Sequence, residues 1–245
     1  MKNTIKKFLL FTGSIIYMNR GSKIFYYHDI HKEDRFTDMS TPISLFQKHI
    51  ELMKSKGYTI VKEIKHPNNE IEITFDDGFN GLYENFDFFL SHKIPVTLFP
   101  ITERLGKPKY LDPSNIRKLL LTGLLRLGSH TCTHRNLDLL KDKEVKQELD
   151  RSKKTLEDLF GCEISTLCFP RGRFDDRVLR YGDEVGYKQY YSSLPGSYGE
   201  QRNNILPRSF VQNASLKEFR WILKGGDKIF YSRYLKMHYR RGKSS

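Results

Sequence analysis

Three things are scarce in this sequence, and each scarcity removes a class of protein. Cysteine is the first: Cys132, Cys162 and Cys168 are an odd number in 245 residues, without the spacing of a disulfide framework. Such thiols read as reduced, which favours a cytosolic setting over an oxidising one. Long apolar runs are the second. The richest stretch, Phe8-Leu9-Leu10-Phe11 followed by Ile15-Ile16-Tyr17-Met18, spans about 11 residues against the ~20 needed to cross a bilayer. It also lacks the unbroken core and small-residue cleavage site of a secretory signal, so it is expected to stay on the chain. There it would pack on the domain or lie on a membrane surface. Internal repeats and low-complexity linkers are missing too, which leaves one domain.

Acid is the third shortage, and it is local. The formal net charge is +13, yet residues 1–23 hold five basic residues and no acid, and residues 224–245 hold seven against Asp227 alone. The two ends therefore carry 11 of the 13 charges. This describes a basic, partly apolar arm over 1–23 and a basic tail over 224–245, flanking a nearly neutral domain over 24–223. Basic ends suit anionic partners such as lipid head groups. A nucleic-acid partner is not expected, because the charge is terminal and no zinc-finger, helix-turn-helix or RNP-like pattern is present. The expected location is cytoplasmic, with the basic ends at the inner membrane face; the oligomeric state is not legible.

What the middle does contain is an alternation of strands and helices. Strand signals fall at Ile24–Tyr27, Tyr58–Val61, Ile71–Phe75, Pro95–Phe99, Leu124–Leu127, Ser165–Phe169, Tyr187–Ser192 and Leu206–Val211. Helical signals fall between them. Asp112-Pro113 opens one with a capping residue before a first-turn proline, and Asp142–Phe160 is the longest, with Val145, Leu149, Leu156 and Leu159 on one face. This order predicts parallel strands with crossover helices, and about eight strands suit a closed α/β barrel. In such a barrel, reactive residues gather at the strands' C-terminal ends.

The polar clusters sit at those ends. His28-Asp29 follows the first strand, and Asp76-Asp77-Gly78 follows Ile71–Phe75. His130 and His134 follow Leu124–Leu127, and Arg171 follows Ser165–Phe169, while Arg208 lies within the last strand. Two adjacent carboxylates repel unless a cation or a shared proton settles them. Taken alone, Asp-Gly after a strand is also an ordinary turn, and two histidines four apart are a common surface pair. Joined to a carboxylate from another strand, the pair becomes a His₂Asp donor set that leaves room for water. Cys132, between the histidines, is expected to pack rather than ligate.

Thr74-Phe75-Asp76-Asp77-Gly78 together with Ser129-His130-Thr131-Cys132-Thr133-His134 resembles the polysaccharide deacetylases of the NodB-homology type, carbohydrate esterase family 4. The resemblance covers about residues 24–211. It implies a distorted (β/α) barrel in one domain and hydrolytic removal of N-acetyl groups from an amino-sugar glycan or glycan-lipid precursor. It also implies a divalent metal, zinc first and cobalt, nickel or manganese as alternatives, that activates the attacking water. By that resemblance Asp77, His130 and His134 hold the metal and Asp76 is the general base. The family's late Leu-x-His motif is not recognisable here. Phe25-Tyr26-Tyr27-His28-Asp29 instead resembles the first-strand motif of the poly-N-acetylglucosamine deacetylases, which gives His28 the role of acid. Phe169-Pro170-Arg171-Gly172 departs from the family's arginine motif, so Arg171 and Arg208 are rivals for orienting the base. The competing reading is an inactive barrel that binds carbohydrate at a membrane surface.

Overall fold

The computed structural model describes residues 2–200 and 204–240. Its centre is a parallel array. Lys23–Tyr27 pairs with Glu70–Asp77, which pairs with Val96–Pro100, which pairs with Leu125–Leu127. A second parallel group joins Thr166–Cys168 to Gln189–Tyr191 and that strand to Ile205–Leu206. Ser129 bridges the two groups, donating to Thr166 O at 2.9 Å and accepting from the Cys168 amide at 2.8 Å.

Closure comes from one short segment. Ile205–Leu206 pairs with one end of the array, and Ser209–Phe210 pairs with Lys23–Tyr27 at the other. The strand expected over Leu206–Val211 is thus two pieces, broken at Pro207-Arg208. Proline lacks the amide a continuous ladder needs, and the Arg208 amide turns aside to Leu194 O at 2.9 Å. The result is a distorted α/β barrel. Its crossover helices include Ile43–Ser55, Pro113–Leu121, Asp142–Phe160 and Asp176–Val185. Asp112 caps one of these as expected, its Oδ1 accepting the Ser114 amide at 2.7 Å.

Two-residue alternation along the strands sorts the core. Phe25, Tyr27, Ile71, Ile73 and Phe75 join the main cluster with Phe46 and Phe89 from the helices. The other face, with Glu72, Thr74 and Asp76, meets the small cluster containing Ile24, Phe99, Cys168 and Tyr191. Glu72 is buried there, accepting from Thr97 Oγ1 and Tyr191 Oη, each at 2.9 Å. Burial pushes its carboxyl up to about 7, against the nearby Arg126 guanidinium.

One expectation about the ends changes. The segment 224–245 is not a free tail over its described part. Gly225, at φ 88°, ends the helix Leu216–Leu223 and reverses the chain. Gly226–Phe230 then forms a 3₁₀ turn, Tyr231–His238 a helix, and Tyr239–Arg240 pairs with Phe174–Asp175. Arg241 and Lys243 of the expected tail lie outside the described residues. The early apolar stretch forms the helix Lys2–Ile16, seated by Leu10, Gly13 and Ser14. A Cβ on Gly13 would come within 2.2 Å of Gly226 O, so only glycine allows that approach. Among the described residues, no helix is long and apolar enough to cross a membrane.

Candidate metal centre and catalytic site

The strand Glu70–Asp77 does not stop before its acids; it carries both into the ladder, opposite Phe99 and Pro100. Alternation places Asp76 on the barrel's inner face beside Thr74. Asp77 would follow Ile73 and Phe75 outward, but its backbone turns to φ 72° and its carboxylate meets the histidines instead. Gly78 completes this turn at φ 85°, where a Cβ would stand 3.0 Å from Pro100.

Asp77 Oδ1 lies 3.4 Å from His130 Nε2 and 3.5 Å from His134 Nε2. It is buried and accepts no hydrogen bond. Zinc bonds of ~2.0–2.1 Å in a tetrahedron put neighbouring donors about 3.3 Å apart, so this spacing fits three ligands of one ion. His130 donates Nδ1–H to Cys168 O at 2.9 Å, which fixes its ring and turns Nε2 toward Asp77. Burial alone would raise the Asp77 carboxyl; the adjacent His130 imidazole, with His28 and His134, holds it far below the usual range. His134 is lowered to about 4, by burial and then by the His130 charge. A neutral imidazole is the form that binds a metal.

Asp76, His130 and Cys168 form a second group of donor atoms within 4.8 Å of one another. It suits a cation poorly, because Arg208 already occupies it. The guanidinium grips Asp76 in two parallel bonds, Nη1 to Oδ1 at 2.7 Å and Nη2 to Oδ2 at 2.8 Å. It also donates to Ser192 O at 2.8 Å, Thr74 Oγ1 at 2.9 Å and Cys168 Sγ at 3.0 Å. Burial would raise the Asp76 carboxyl, but the Arg208 charge and hydrogen bonds bring it below its ordinary value. Of the rival arginines, Arg208 holds Asp76. Arg171 is exposed, at φ 53° in the turn Pro170–Gly172, and lines the pocket above the site.

The pocket has a volume of about 1050 Å³ and reaches Asp76, Asp77, His130 and His134. His28 lines it too, its Nδ1 2.9 Å from Gln212 Oε1. Donation from Nδ1 to that amide oxygen leaves Nε2 for the pocket. All seven residues singled out from the sequence therefore line this space or, as with Arg208, directly support it.

Three supporting residues were not anticipated. Glu148, buried on the helix Asp142–Phe160, accepts the amides of Cys132 and Thr133 at 2.9 Å each and the Thr133 hydroxyl at 2.5 Å. Between two backbones at positive φ, Thr131 and His134, these bonds set the loop's shape. Cys132 itself packs, its Sγ 3.6 Å from Glu148 O. A signal was present: Glu148 follows Val145 by three on the apolar stripe, where a carboxylate needs a partner. Cys168 and Gln212, which hold Arg208 and His28, carried no such signal. Replacing Glu148 with glutamine is expected to weaken metal affinity about ten- to hundredfold while the chain stays folded. Titration of the metal-free protein checks this; unchanged affinity would show that the loop keeps its shape without the carboxylate.

A parallel barrel with a His₂Asp donor set and an arginine-clamped aspartate at its C-terminal mouth defines a NodB-type fold with a metal-type centre. The chain belongs to the polysaccharide deacetylase family, whose model matches residues 63–190, just over half its length. Among curated proteins it is similar to YxkH of Bacillus subtilis (strain 168), 23% identical over 185 residues, 71% of this chain and 65% of that one. An uncharacterized 30.6 kDa protein of Geobacillus stearothermophilus is 27% identical over 128 residues, 51% of this chain and 46% of that protein. The chain thus spans less than two thirds of either relative. In fold it resembles the polysaccharide deacetylase BC0361 of Bacillus cereus, with a TM-score of 0.72 at 23% identity, covering 83% of this chain and 69% of that one. IcaB of Ammonifex degensii is similar at a TM-score of 0.73 and 16% identity, covering 85% and 98%.

Proposed function

We propose that the protein removes N-acetyl groups from an amino-sugar glycan or glycan-lipid precursor, with a divalent ion held by Asp77, His130 and His134. The observation that carries this reading is the buried, unpartnered Asp77 Oδ1 at 3.4 and 3.5 Å from two imidazole nitrogens. When bound, the ion would acidify a water and polarise the acetamide carbonyl. Zinc suits two imidazoles and one carboxylate, and cobalt, nickel and manganese remain alternatives.

Asp76 is the base. Its pairing with Arg208 keeps it ionised, so it can take the proton of the water that adds to the acetyl carbon. The backbone N–H of Arg171, at the pocket's edge, is assigned to the oxyanion. As the C–N bond breaks, the departing amine takes its proton from His28, leaving acetate and a free amino sugar. Aromatic rings such as Tyr110, Phe210 and Tyr234 line the pocket and can stack on sugar faces.

The test is acetate release from N-acetylglucosamine oligomers. Release that stops with a chelator and returns with a divalent ion is expected. No release from any N-acetylated sugar by metal-loaded protein would favour the inactive barrel. For the acid, His28→Ala is expected to slow amide hydrolysis by about 10²–10⁴-fold. It should slow an activated acetate ester far less, since that leaving group needs no proton. Equal losses on both substrates would remove His28 from this role.

A further inference from the structure

The helix Lys2–Ile16 faces the wrong way for a soluble protein. Its inner side is narrow, with Leu10, Gly13 and Ser14 buried against Gly226 and the helix Leu216–Leu223. Its outer side carries Ile5, Phe8, Phe11, Ile15 and Ile16, with Met18 just beyond, all 46–70% exposed. At 100° per residue the five helix side chains span about 140° of the helix circumference. Among the described side chains of this helix, its charges are Lys6 and Lys7, both exposed. Large apolar side chains crowded on one exposed helix face mark a surface that is covered in use.

We infer that this face inserts into the interface of an anionic phospholipid bilayer, so that the pocket meets its glycan at a membrane surface. Charge selects this occupant. No acid lies in residues 1–23, and Arg233 and Lys236 on the adjacent helix Tyr231–His238 add to the positive rim. Phosphatidylglycerol-type head groups complement that rim. A second copy of the chain would bring two acid-free basic segments, residues 1–23 of each copy, together in a two-fold contact, which like charge opposes. The helix cannot cross the bilayer, but lying in its plane needs only the apolar face.

Position joins the surface to the site. Ile5, Lys6 and Leu9 of this helix line the same pocket as Asp77 and His134, together with Met237, itself 53% exposed. One side of a single helix thus faces the proposed bilayer and its flank walls the pocket. A helix is about 10–12 Å across, so one helix width separates this wall of the pocket from the proposed lipid surface. A membrane-anchored N-acetylated glycan could enter without leaving that surface. The inference rests on the deacetylase reading for the chemistry of the pocket, but the helix face is tested separately.

The full chain is floated with phosphatidylglycerol–phosphatidylcholine vesicles and with phosphatidylcholine vesicles. Preferential binding to the anionic vesicles, weakened by salt, is expected. The double variant Phe8→Ser, Ile15→Ser should lower that binding at least about tenfold. Both side chains stand clear of the pocket lining, so metal content and acetate release from a soluble oligomer should not change. Absence of wild-type binding, or equal binding by the variant, overturns the inference. So does a wild-type dimer in sedimentation analysis that the variant converts to monomer, since the face would then be a protein contact. Failure of acetate release with vesicle binding intact would instead count against the deacetylase reading alone.

Discussion

His130→Ala is expected to leave less than a tenth of an equivalent of divalent metal on the purified chain and to cut acetate release at least about a thousandfold. Of the three proposed ligands, His130 is the one most firmly fixed. Its ring is 2% exposed, its Nδ1–H is committed to Cys168 O, and its amide donates to Pro100 O at 3.2 Å. The Nε2 lone pair therefore has one direction in which to act, toward Asp77. Loss of the ion would remove both water activation and carbonyl polarisation, several kcal/mol of transition-state stabilisation. Metal analysis beside a rate assay separates this from simple unfolding, provided circular dichroism shows the fold retained. A variant that kept both metal and rate would remove His130 from the ligand set.

Arg208→Met should be nearly as damaging, for a different reason. Asp76 is buried, and the guanidinium supplies both of its close ionic bonds. Removing one partner of a buried pair costs about 3–5 kcal/mol, because the remaining charge is stranded. The chain can avoid that cost by protonating Asp76, whose carboxyl would rise from its lowered position. A base that holds its proton to higher pH is inactive over a wider acidic range. The acidic limb of the pH–rate profile is therefore expected to move to higher pH, with a large loss of rate at neutral pH. Because the folded pKa of Asp76 is now below its unfolded value, the pair contributes stability above the unfolded pKa and loses it as pH falls. The variant should lose stability most at neutral pH and least in acid. Arg208→Lys should not rescue either effect, since an ammonium cannot supply two parallel bonds. An unmoved pH profile with normal stability would contradict this role.

Much of the barrel was legible because its signals are local. Alternating apolar residues marked Ile71–Phe75, and Asp112-Pro113 marked a helix start; both persist, the strand extended through its acids. The site was legible for the same reason, since each cluster directly follows a strand. What could not be read depends on closure. Arg208 faces Asp76 only because the segment 205–210 pairs at both ends and breaks at Pro207, a contact across 132 residues. Sequence spacing offered Arg171 equally well. Glu148 clamps the histidine loop from a helix surface, and only its place on an apolar stripe hinted at this. Residues 224–245 read as a tail because seven of their eight charges are basic, and nothing in the sequence marked Gly225-Gly226 as a turn back onto the domain. Here that pair turns the chain back against the first helix.

The central claim is that Asp77, His130 and His134 surround one ion. Crystals of the protein loaded with zinc, with diffraction recorded on both sides of the metal's absorption edge, test it directly. The predicted result is a single strong anomalous peak about 2.0–2.2 Å from Asp77 Oδ1, His130 Nε2 and His134 Nε2, with Asp76 still bound to Arg208. A peak centred on Cys168 and Asp76, or no peak among these residues in metal-replete protein, would contradict it.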